Sequence, residues 1–119
     1  MKDDRVYLVH MLEAARKVMA RTTGLDRTRY DADENLRFAL THLLQVIGEA
    51  ARRVGDTVRQ QLALVPWRQI TGMRHRIVHD YLSIDFGVVW DTATLSVPAL
   101  IPQLEAALAE LGDPRGEPD

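Results

Sequence analysis

The chain has 119 residues, 46% of them hydrophobic and none of them cysteine, which is enough for one domain with a buried core and excludes disulfides, thiol nucleophiles, thiol redox chemistry and Cys-based zinc sites. Its formal charge of -2 hides a polarity, because residues 1–79 carry 14 basic against 9 acidic side chains, a net of +5, while residues 80–119 carry 1 against 8, a net of -7. Near-neutrality therefore does not exclude an anionic partner, since a local basic surface is sufficient to attract one.

The start, Met1-Lys2-Asp3-Asp4, is polar and acidic rather than a signal peptide, and no apolar run approaches the roughly 20 residues of a membrane span. A cytoplasmic protein without membrane contact is expected. From Asp3 to Met19, Tyr7, Leu8, Met11, Leu12, Ala15 and Val18 recur at spacings of three and four, which predicts an amphipathic helix stopped by Thr22-Thr23-Gly24. Leu25 to Asp33 reads as a loop or a short irregular turn. A longer helix then starts near Asp31 or Asp33, either of which can cap it, and it carries Leu36, Leu40, Leu44, Ile47 and Ala51 on a face broad enough for a central helix. Gly48 inside it costs about 1 kcal/mol relative to alanine, so close approach of another backbone is expected there.

Gly55-Asp56 ends the central helix, and Asp56 to Leu64 reads as a short third one. Pro66 suits the first turn of a fourth, with Trp67, Ile70, Arg74, Ile77, Val78 and Tyr81 on one broad stripe. Ser83 or Asp85 can cap a fifth segment through Phe86, Val89 and Trp90; Pro98 then interrupts the chain before a final helix through Leu100, Leu104, Leu108 and Leu111. No period-2 strand pattern competes. The expected fold is all-α, an up-and-down bundle of about five helices in a single domain over residues 1–111, followed by a flexible tail over residues 112–119.

Chemistry concentrates in Met73-Arg74-His75-Arg76-Ile77-Val78-His79-Asp80-Tyr81, where two imidazoles, two guanidiniums and a phenol fall within nine residues. Histidine titrates near neutrality and can accept or donate a proton, and arginine is a fixed cation whose planar fork matches phosphate oxygens. Together they suffice to cleave a phosphodiester without a metal. Thirteen of the 15 basic residues are arginine, which fits phosphate recognition and equally fits a bias of base composition. Trp67, Trp90 and Met73 are most simply core.

A metal reading of His75 and His79 has the helical spacing of four but little else. A zincin helix needs Glu after its first His, where this chain has Arg76; His10 and His42 offer no third ligand at a telling spacing. No metal or other cofactor is expected, and His75 can simply hydrogen-bond its surroundings. Helix geometry constrains the phosphate reading as well. At about 100° per residue, Arg74 and Tyr81 lie about 20° apart around the axis, but Arg74 and His79 about 140°. One straight helix cannot aim Arg74 and His79 at one phosphate, whereas a two-fold axis beside it would bring two copies of the cluster into one cleft. A homodimer with its site at or beside the interface is the expectation.

The order Arg74-x4-His79-x-Tyr81, preceded by Pro66-Trp67-Arg68-x-Ile70-x-Gly72-Met73 and Ile47-Gly48-Glu49-Ala50, resembles the HepT-like branch of the HEPN superfamily over about residues 5 to 111. The resemblance implies a homodimeric, metal-independent endoribonuclease, the toxin of a type VII-like toxin–antitoxin pair. It implies a nucleotidyltransferase antitoxin that silences the toxin in some systems by AMPylation of the motif tyrosine, here Tyr81. Arg74 and His79 would be catalytic, with attack of an RNA 2′-hydroxyl on the adjacent phosphate to give a 2′,3′-cyclic phosphate. His75 takes a position where asparagine is more usual, and Glu49 matches a family position from which it could orient Arg74 or merely pack. Arg52, Arg53, Arg59, Arg68 and Arg76 could form the RNA footprint together with Arg74, or half of them could simply be solvated. The family-based guess for the substrate is transfer RNA.

Two classes of function stay open on sequence alone: a ribonuclease toxin, and a non-catalytic helical adaptor that binds a nucleotidyltransferase or nucleotide through the same surface. The motif spacing favours the enzyme, since an adaptor has no need of Arg74, His79 and Tyr81 in that order.

Overall fold

The structure, a computed structural model, describes residues 3–80 and 83–116, with His79 and Asp80 described by their backbone alone. Three long helical runs form the frame. Helix α1 (Asp4–Thr22) starts at Asp3, whose carboxylate accepts from the Arg5 amide. Helix α3 (Glu34–Arg53) starts at Asp33, which accepts from the Leu36 amide at 3.0 Å and so resolves the choice between Asp31 and Asp33. The third run joins α7 (Phe86–Asp91), a π-helical turn (Thr92–Ser96) and α8 (Val97–Leu111), with Asp85 rather than Ser83 as its cap.

That continuity differs from the interruption expected at Pro98. Pro98 stands at the second residue of α8, where its missing amide lies beyond the regular ladder, and the preceding π turn takes up the misfit through a Val97 amide bonded to the Thr92 carbonyl. Leu25 to Asp33 also differs from a loop, because it contains helix α2 (Arg27–Asp31). Asp26 caps it, and Tyr30, fully buried, anchors it by donating its hydroxyl to the Phe86 carbonyl at 2.7 Å while packing on Trp90. Five residues carry too little apolar periodicity to be read as a helix from sequence.

One core runs between α1, α3 and α8, built from Leu8, Leu12, Leu40, Leu44, Ile47 and Leu104 among others. The segment after α3 packs at the C-terminal end of that helix. Helix α4 (Asp56–Gln61) is followed by α5 (Trp67–Thr71) and α6 (Met73–Ile77), with Trp67, Ile70, Met73 and Ile77 buried. Arg59 holds this end together by donating to the Ala51 and Val54 carbonyls that end α3, with its guanidinium 5.7 Å from the centre of the Trp67 ring.

The single fourth helix expected up to Tyr81 is not observed. It divides at Gly72 into α5 and α6, and at Val78 the backbone becomes extended (φ -108°, ψ 109°) as strand β1 (Val78–Asp80). Strand β1 pairs antiparallel with β2 (Ser83–Ile84), Val78 opposite Ile84 and Asp80 opposite Ser83, with an irregular register between. The Asp85 amide closes the pair on the Ile77 carbonyl at 2.7 Å. This short antiparallel pair is a local exception in a fold that is otherwise all-α among the described residues. Helix α8 ends at Gly112 (φ 90°), whose carbonyl accepts from Arg5 at 3.2 Å, and of the segment expected as a tail residues 117–119 lie outside the described residues.

Candidate functional site

A cleft of about 380 Å³ opens between the C-terminal half of α3 and the α5–α6 segment. Its polar wall comes from one face of α3, because His42, Gln45, Glu49 and Arg52 follow at spacings of three, four and three. Thr71 and Arg74 stand opposite, above an apolar floor that includes Leu44, Met73 and Ile77. The two walls approach each other at Gly48. A Cβ there would lie 3.4 Å from the Ile70 carbonyl oxygen and 3.8 Å from Met73 Cε, so the close backbone expected at this glycine is present, at ordinary contact distance.

Arg74 is exposed on α6, and among the described residues no hydrogen bond or ion pair engages its guanidinium. Arg52 reaches across the cleft and donates to the Thr71 carbonyl at 3.3 Å, tying α3 to α5. Glu49 lines the same cleft, but its partner is Arg53, one helical turn on at 3.6 Å, and not Arg74. The orienting bond considered for Glu49 is therefore absent here. Two guanidiniums face one carboxylate that is itself shared with Arg53, which leaves a net positive cleft suited to an anion such as phosphate.

The other sequence-derived candidates fall elsewhere. His75 is exposed on α6, Arg68 is exposed on α5, and neither lines this cleft. Arg76 donates to the Gln69 carbonyl at 3.3 Å and borders a separate cavity of about 60 Å³ beside Pro66 and Leu100. Of Arg52, Arg53, Arg68 and Arg76, then, only Arg52 shares the cleft with Arg74. His79 belongs to β1 by its backbone, and Tyr81 lies outside the described residues. Because the helix ends at Ile77, two residues before His79, the 140° separation of a continuous helix does not apply to Arg74 and His79.

His42 and Gln45 are not singled out by the sequence motif, and His42 enters there only as a metal ligand without a third partner; both belong to the polar stripe with Glu49 and Arg52, opposite the buried face of α3. That stripe was the available signal. Trp67 and Met73 are buried as expected, and the half-buried Trp90 packs on Tyr30. Among the described residues, which do not include the His79 side chain, no three His, Asp or Glu side chains are grouped to hold a metal ion. No described helix is long and apolar enough to cross a membrane.

Residues 11–107 match the family model described as HepT-like, "Ribonuclease HepT-like". A protein of Caldanaerobacter subterraneus subsp. tengcongensis that bears the name "Putative RNase" is 31% identical over 91% of this chain and 96% of its own length. Another so named in Methanocaldococcus jannaschii is 29% identical over 87% of this chain and 95% of its own. A Thermococcus cleftensis protein named "Probable ribonuclease HepT" is 27% identical over 83% and 90%. No solved structure matches.

Proposed function

This chain belongs to the HepT-like ribonuclease family, and from that membership we propose that it is the toxin of a toxin–antitoxin pair and cleaves RNA through Arg74 and His79. As a member of the family it is an endoribonuclease. The observation that carries the site assignment is the Arg74 guanidinium, unengaged among the described residues and exposed in a net positive cleft, one turn before the backbone leaves the helix towards His79.

In the proposed reaction the 2′-hydroxyl of one nucleotide attacks the adjacent phosphorus. His79 takes the hydroxyl proton, the O2′–P bond forms, and the P–O5′ bond breaks. The departing O5′ takes a proton, which leaves a 5′-hydroxyl end and a 2′,3′-cyclic phosphate. Arg74 holds the nonbridging oxygens and stabilises the charge that gathers on them, with Arg52 contributing to the same field. The need for a 2′-hydroxyl restricts the chemistry to RNA, with transfer RNA as the expected substrate. The acting species is a homodimer in the cytoplasm. A nucleotidyltransferase antitoxin silences it by joining the phosphorus of AMP to the Tyr81 phenol oxygen, with displacement of pyrophosphate from a nucleoside triphosphate. Adding that bulk and negative charge two residues from His79 would repel an RNA phosphate.

The test is incubation of purified protein with total RNA and with transfer RNA in EDTA, beside Arg74→Ala and His79→Ala variants, with the mass of the intact chain measured in the same preparation. Cleavage by the wild type alone, leaving cyclic-phosphate ends, is the expected result. Full cleavage by a folded His79→Ala variant overturns the catalytic assignment. No cleavage by dimeric, unmodified wild type would favour the non-catalytic adaptor.

A further inference from the structure

We infer that the outer stripe of α3, running from the Arg74 cleft to Phe38, is a track for single-stranded RNA on which Phe38 stacks a base and Gln45 and His42 bond the nucleotides between. The inference rests on the ribonuclease reading above and extends it to the substrate's path beyond the scissile phosphate.

Phe38, His42, Gln45, Glu49 and Arg52 follow at spacings of four, three, four and three. At about 100° and about 1.5 Å per residue they fall within a band about 80° wide and about 21 Å long. The lower four line the cleft. Phe38 continues the same line outside it and is 51% exposed, whereas Leu40, Leu44 and Ile47 are buried on the opposite side of α3 and Leu36, Leu43 and Val46 are half-buried. Packing does not require an aromatic ring on the polar face.

The ring is nevertheless held. Phe86 meets it edge-on at 5.7 Å and 74°, and Phe86 is itself backed by the Arg37 guanidinium, 5.4 Å from its ring centre and donating to the Tyr30 and Asp31 carbonyls. An orientated, half-exposed ring is the arrangement on which unpaired bases stack, whatever their sequence. Gln45 presents both a donor and an acceptor, as does a neutral imidazole at His42, and among the described residues neither side chain has a hydrogen-bond partner. Charge points the same way, since Arg52 and Arg74 outweigh Glu49 at the cleft end. A protein partner would instead need a wider apolar patch than Phe38 and Phe86, and the stripe between Phe38 and the cleft is polar.

The test measures binding of 2′-O-methyl RNA, which lacks the attacking hydroxyl, to the full chain by fluorescence anisotropy, with a twelve-nucleotide single strand and a trinucleotide as probes. Phe38→Ala should weaken the longer probe about tenfold, or 1.4 kcal/mol, within the range for one stacked base. Phe38→Tyr should restore binding to within about twofold, and the trinucleotide should not distinguish the variants. Phe38→Leu, which keeps apolar packing on Phe86 but lacks the ring, should behave as Phe38→Ala does and covers the case in which the alanine variant melts early. Unchanged affinity of Phe38→Ala and Phe38→Leu for the long probe, with wild type binding it, overturns the track alone. A loss of binding that coincides with a changed sedimentation coefficient also overturns it and assigns Phe38 to a protein contact. Wild type that neither binds the probes nor cleaves RNA overturns the ribonuclease reading together with the track.

Discussion

Arg74 is the residue whose loss should separate activity from stability most cleanly. Its guanidinium stabilises nothing among the described residues, so Arg74→Ala should leave stability within about 0.5 kcal/mol of wild type. Cleavage should fall by roughly 10² to 10³, the usual loss when a donor to a developing oxyanion is removed. Arg74→Lys keeps the charge but not the planar fork and should fall between the two; nuclease rates beside thermal melts check both. Tyr30 is the opposite case. Its buried hydroxyl donates to the Phe86 carbonyl, and burial pushes the phenol up to about 12 from 10. Folding thus favours the neutral phenol, so its contribution is complete below pH 10 and is lost as pH rises from 10 to about 12. Tyr30→Phe should cost about 1 kcal/mol at neutral pH and flatten the fall in stability above pH 10, which urea unfolding across that range would measure. The nine-residue cluster was visible in the sequence at this scale, but the partners were not: that Glu49 takes Arg53 and that Arg52 spans to Thr71 depends on distances between elements.

At the scale of elements, α1 and α3 were legible because each buries a face long enough to print a 3.6-residue period, and acidic caps mark the starts. The break at Gly72 was not, since two short helices one residue apart keep Trp67, Ile70, Met73 and Ile77 nearly in the phase of one helix. Strand β1 has only three residues, too few for alternation to register. Gly48 tests how closely these pieces pack. Because a methyl group there would meet Ile70 O at 3.4 Å and Met73 Cε at 3.8 Å, Gly48→Ala should fit and gain up to about 1 kcal/mol of helix propensity, raising the melting temperature by roughly 4 °C. A fall would show that α5 and α6 sit closer to α3 than ordinary contact. Asp33→Ala, which removes the cap on the Leu36 amide, should cost about 1 kcal/mol in the other direction, and a urea titration of each variant compares the two.

At the scale of the whole molecule, the chain offers one Arg74 cleft, and the sequence places 14 of its 15 basic residues before position 80, where they exceed 9 acidic ones. If the active species is a dimer with the clefts at or beside its two-fold axis, catalysis depends on association, and dilution provides the measurement. Specific activity should be constant above the dissociation constant and fall in proportion to protein concentration well below it, because the dimer fraction then scales with total protein. Sedimentation velocity over the same concentrations should give a midpoint that coincides with the kinetic one. Raised salt should act on a different quantity. If Arg74 and Arg52 contact phosphates as proposed, binding releases counterions, so RNA affinity should fall linearly on a log–log plot against salt, and Arg52→Ala should lower that slope by roughly one contact. A specific activity that stays constant down to concentrations at which sedimentation finds only monomer would show that one protomer contains the complete catalytic set, and that the turn from α6 into β1 alone brings Arg74 and His79 to the same phosphate.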